Sequence, residues 1–106
     1  MKDIGELLRQ AQQMKKTMKQ AQKELDSTEV LGEAGGGMSR VHMTCKYKVR
    51  RVEIDDELLK EKKQTIESVV AAAYNDAAKK VERKIQEKYS GITGGLPLPQ
   101  GMKLPF

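Results

Sequence analysis

The first 26 residues place apolar side chains at Ile4, Leu7, Ala11, Met14, Met18, Ala21 and Leu25, a 3, 4, 3, 4, 3, 4 spacing. This is the a/d pattern of a heptad seam, kept without a miss over three heptads. Gln, Lys, Met, Leu, Ala and Glu fill the intervening positions, and all favour a helix. The spacing predicts one helix over about Asp3 to Asp26, roughly 36 Å long at 1.5 Å per residue. A chain of 106 residues cannot cover such a helix with one small domain. The helix must protrude or pair. Only 38% of the residues are hydrophobic, 4% are aromatic and there is no Trp, so core material is scarce and folding is expected to be coupled to self-association.

From Thr28 the period changes to two. Thr28 to Ala34, Met38 to Tyr47 and Lys48 to Asp55 read as three strands of an antiparallel meander with one wet face. Val41, Met43, Cys45 and Tyr47 form one row, and Arg40, His42, Thr44 and Lys46 the other. Gly35, Gly36 and Gly37 supply the left-handed backbone that a tight hairpin needs. The turn near Lys46 to Val49 contains no Gly, Asn or Pro, and its conformation is not legible. Asp55 and Asp56 are candidate caps for a short helical turn, with Glu57 in that turn. From Gln64 to Tyr89, Ile66, Val69, Val70, Ala73, Ala77, Val81, Ile85 and Tyr89 keep a helical spacing, and Gly91 is the expected stop. Residues 1–90 are thus one domain. The tail, 91–106, holds four glycines and three prolines and favours extended or disordered chain.

The longest uncharged apolar run, Val69 to Tyr74, is six residues, against the roughly 20 a bilayer requires. The N-terminal segment carries acids within its first six residues and no apolar stretch, so no export leader is expected. Cys45 is the one cysteine, which suits a reducing cytoplasm.

The strings MKDIGELLRQAQQMKKTMKQAQKEL, VLGEAGGGM and RRVEIDDELL, and above all ESVVAAAYNDAAKKVER over Glu67 to Arg83, resemble the YbaB/EbfC nucleoid-associated DNA-binding proteins of bacteria. The likeness spans nearly the whole chain and extends to the GGLPLPQGMKLPF ending; CKYKVRR departs from it by lacking Gly or Asn between its strands. It implies an α+β, α-β-β-β-α protomer with long N- and C-terminal helices, a tweezer-like homodimer, a cytoplasmic, nucleoid location, double-stranded DNA as partner and no enzymatic activity.

The charge pattern is consistent with that partner. The net charge of +5 is unevenly spread: residues 1–26 carry six cations against four acids, 27–60 six against six, and 61–89 seven against five. On the first helix Lys2, Arg9, Lys16 and Lys23 lie seven apart, opposite the seam, with Lys15 and Lys19 beside them. Neighbours on this stripe are about 10.5 Å apart, a spacing compatible with separate phosphates. Lys79, Lys80, Arg83 and Lys84 form a second cluster, diluted by Glu82 and Glu87. The bland reading of both is a solvated helix face. No aromatic lies among the lysines to stack on single strands. We therefore expect duplex DNA to meet Arg9, Lys15, Lys16, Lys19 and Lys23, with Lys79, Lys80, Arg83 and Lys84 secondary.

Sharper chemistry is not expected. The glycine triplet lacks the Lys-Ser/Thr and following helix of a phosphate loop. His42 and Cys45, three apart on a strand, face opposite ways and build no zinc site. Asp55, Asp56 and Glu57 suit capping better than a divalent cation. One histidine and exposed carboxylates offer no nucleophile with an orienting base, no cofactor site and no small-molecule substrate. Asn75 and Asp76 break helix propensity and read as surface groups or hydrogen-bond partners of a neighbouring strand or subunit, ahead of the alternative of direct DNA contact. The rival functions are a coiled-coil adaptor using the heptad seam and a helix lying on anionic lipid, the latter disfavoured by its acids and its lack of Trp or Phe.

Overall fold

The computed structural model describes residues 3–92. The elements run α1 (Ile4–Ser27), β1 (Glu29–Ala34), β2 (Ser39–Thr44), β3 (Val49–Ile54), α2 (Asp56–Leu59) and α3 (Lys63–Ile92). The α+β order α-β-β-β-α is as the sequence predicts. The strands form one antiparallel sheet in the order β1-β2-β3.

Asp3 caps α1, its side chain accepting from the Gly5 backbone N–H at 2.7 Å. All three glycines of the first hairpin have positive φ, between 65° and 89°. The second hairpin turns without glycine because Tyr47 itself takes the left-handed conformation, at φ 63°. The Tyr47 N–H donates to the Thr44 carbonyl at 2.9 Å, and the Thr44 N–H to the Lys48 carbonyl at 2.8 Å, closing the turn. Tyr47 therefore leaves the buried row to which alternation assigned it and is exposed. Register then shifts: His42 pairs with Arg51 but Met43 with Val49, which leaves Arg50 as a bulge. The extra residue returns Val49 to the face of Val52 and Ile54, and accounts for the broken alternation of β3.

The core lies between the inner faces of β1 and β2 and one row of α3. Ala73, Ala77, Val81, Ile85 and Tyr89, spaced four apart, pack on Val30, Val41, Met43 and Cys45, with Leu25 of α1 closing one end. Helix and strand approach very closely at Gly32. A Cβ there would lie 2.3 Å from the Ala73 carbonyl oxygen and 2.4 Å from the Ala77 backbone nitrogen. Ala73 and Ala77 of the VVAAAYNDAA block thus have a packing reason: their small side chains let α3 lie directly on β1.

Two helix expectations change. Asp55 stands at the N-cap of α2, but its side chain makes no cap bond and instead accepts from Arg40 at 3.0 Å. Helix α3 starts at Lys63 and runs through Gly91 to Ile92, whose side chain packs on the edge of the core. A glycine costs only about 1 kcal/mol in a helix interior, so it need not end one that buries an apolar side chain just beyond it. The tail expectations from residue 93 onward, and Lys2, lie outside the described residues.

Candidate nucleic-acid interface

Helix α1 is packed at one end only. Ala21 and Leu25 are each 3% exposed, whereas Ile4, Leu7 and Met14 are 75%, 51% and 48% exposed. The first half of the helix therefore stands clear of the domain, as its length requires. Its anchored end runs antiparallel to the end of α3: Lys84 lies with Leu25 and Thr28, Lys88 pairs with Glu24, and Ile92 shares a groove with Thr17 and Ala21.

The packing leaves the basic stripe unopposed. Two of the four acids of residues 1–26 are taken by cations from elsewhere, Glu24 by Lys88 and Asp26 by Lys46 at 3.2 Å. Hydrogen bonding to Lys88 holds the Glu24 carboxyl below its usual value. Arg9, Lys15, Lys16, Lys19 and Lys23 are all exposed, and none of them forms an ion pair among the described residues. The helix thus presents five cations to an anionic partner.

The α3 cluster divides. Lys80 donates to the Leu31 carbonyl oxygen at 2.7 Å and pairs with Asp76 at 3.1 Å, so its ammonium is already engaged in holding β1. Arg83 and Lys84 are exposed and line a hollow beside the β1 edge with Glu29, Leu31 and Glu87. Lys79 is exposed and outside that hollow. Lys88, beside Lys16 in the groove between the helices, is a cation of this surface that the sequence does not reveal. Its place depends on the antiparallel packing of α1 and α3, which brings Lys88 to Glu24, 64 residues away in sequence, and for which no local signal exists.

On the outer face of the sheet, His42 Nε2 lies 2.5 Å from Glu53 Oε1, with Arg51 and Arg40 each 3.6 Å from the same oxygen. The Glu53 carboxyl is lowered, first by the His42 contact. Cys45 is buried on the opposite face, and burial raises its thiol pKa. Histidine and cysteine are thus held apart by the sheet. Among the described residues no cluster of three or more His, Cys, Asp or Glu could hold a metal, and no helix is long and apolar enough to cross a membrane.

With this arrangement in view, the sequence profile of the YbaB/EbfC DNA-binding family matches residues 1–96. The chain belongs to the YbaB/EbfC DNA-binding family. A crystal structure of an uncharacterized protein from Helicobacter pylori superposes with a TM-score of 0.76 at 26% identity, covering 89% of this chain and 100% of that one. The order of elements is therefore that of a solved fold. Among the described residues, the α1 stripe sets five exposed cations without ion-pair partners on one helix.

Proposed function

We propose that this chain is a homodimeric, nucleoid-associated protein of the cytoplasm that holds double-stranded DNA through its phosphates and thereby affects nucleoid organisation and gene expression. The observation that carries the reading is the exposed row Arg9, Lys15, Lys16, Lys19 and Lys23, without ion pairs among the described residues, on a helix that projects from the domain. Lysines act as point charges without base preference. Lys79, Arg83 and Lys84 add secondary contacts, and Lys80 contributes less because it is already engaged.

The dimer is supported by an apolar surface that the protomer leaves open. Helix α3 packs over β1 and β2, so the inner-face residues Val49, Val52 and Ile54 of β3 are 38%, 45% and 37% exposed. Leu59 and Tyr74 are exposed as well. A sheet face of this composition is a natural seat for a second copy, and two-fold symmetry would present each stripe twice.

Titrating salt against binding to a random duplex and several defined ones tests the reading. With six to ten phosphates neutralised per dimer, affinity should fall by about 10³ to 10⁵ between 50 and 200 mM salt. Parallel slopes with equal intercepts across sequences are expected for recognition of the backbone. The exposed heptad residues favour one rival, an adaptor that recruits another protein along the seam. An adaptor would give no mobility shift with duplex even at low salt.

A further inference from the structure

Helix α3 covers the heptad seam of α1 as far as Ala21, and Met18 is half-buried at the limit of that cover. Beyond it Met14, Leu7 and Ile4 are bare. Because the helices are antiparallel, the chain leaves α3 at Ile92 beside Thr17 and Ala21, heading in the direction in which the seam is uncovered. The groove at this exit measures about 540 Å³. Fourteen residues follow, 93–106, beginning Thr-Gly-Gly and containing Leu96, Leu98, Met102, Leu104 and Phe106, three prolines, one lysine and no acid.

We propose that residues 93–106 of the same chain dock along the seam of α1, continuing from Met18 towards Ile4 the cover that α3 begins. Reach is sufficient. From Met18 to Ile4 the helix rises about 21 Å, whereas 14 residues at about 3.1 Å each extend some 43 Å. The glycines give room to leave the helix axis. Leucines alternating with prolines bring apolar side chains on a backbone with little entropy left to lose. Arg9 and Lys23 lie on the opposite side of α1 and stay accessible beside a docked tail, whereas Lys16 lines the groove at the exit; the proposal does not depend on what those residues bind.

Hydrogen–deuterium exchange of the full-length protein tests this. Segment 4–14 should be protected, and the variant Leu96→Ser/Leu98→Ser/Leu104→Ser/Phe106→Ser should exchange there at least tenfold faster with an unchanged sedimentation coefficient. A nitroxide on Gln100→Cys, selective because Cys45 is buried, should broaden the amides of Leu7 to Met14 in the same molecule. It should not do so when the label and the isotope are on different chains. Unprotected 4–14 in the native protein, equal exchange in the two proteins, or broadening only between chains would overturn the proposal; the last would assign the seam to a second copy.

Discussion

The Asp76 carboxylate on α3 accepts a hydrogen bond from the backbone N–H of Glu33 on β1 at 2.9 Å. β1 is an edge strand, with backbone groups that would otherwise be open to another chain. Lys80, one turn on, donates to the Leu31 carbonyl of the same edge. One turn of α3 thus supplies an acceptor to one N–H and a donor to one carbonyl of this edge. The low helix propensity of Asp76 is explained by that bond.

Removing the acceptor in Asp76→Ala should destabilise the protein by about 1 kcal/mol, seen as a lower urea midpoint. The Asp76 carboxyl is lowered, first by the Glu33 N–H and then by Lys80. A depressed carboxylate contributes stability above its unfolded value, near 3.9, and loses it as pH falls through its lower folded value. The difference between native protein and Asp76→Asn should therefore be constant from pH 7 to about 5 and shrink progressively below about 4. A difference that persists unchanged at pH 2.5 would mean the charge plays no part.

Gly32→Ala should be more damaging. The added Cβ meets backbone atoms of Ala73 and Ala77, which cannot swing away as a side chain can. A loss at the upper end of about 1–3 kcal/mol is expected, measured by the same denaturation, with α3 amides exchanging faster. A shift below about 0.5 kcal/mol would show that helix and strand are not so closely apposed.

Tyr47 holds a left-handed conformation that glycine adopts freely. Tyr47→Gly should raise stability by up to about 1 kcal/mol, the relieved strain being partly offset by a more flexible unfolded chain. A lower melting temperature would mean that the ring packs more usefully than its exposure suggests.

How far the sequence speaks follows from the range of the interactions. The heptad of α1, the glycine hairpin and the alternation of β2 from Ser39 to Met43 are written in neighbouring residues and can be read directly, whereas Thr44, in the same row as Arg40 and His42, is buried. Arg50 as a bulge and Tyr47 as a left-handed turn are not, because any residue can be forced into those roles once the flanking strands pair. Asp55 has the chemistry of a cap, but Arg40 on the adjacent strand takes its carboxylate. The basic stripe is legible because it is one face of one helix. Its lack of compensation is not, since that rests on Lys88 and Lys46 reaching the acids of α1 from distant elements.

We propose that DNA binding by this protein rests first on the α1 stripe. Lys16, Lys19 and Lys23 are exposed and form neither an ion pair nor part of the core among the described residues, so the melting temperature of Lys16→Glu/Lys19→Glu/Lys23→Glu should hold. The salt slope of duplex binding, log K against log salt, is the measurement. It should become shallower by about 0.9 for each phosphate no longer neutralised, with affinity at 50 mM salt reduced at least a hundredfold. An unchanged slope and affinity in a folded triple variant would contradict the assignment of DNA binding to this helix.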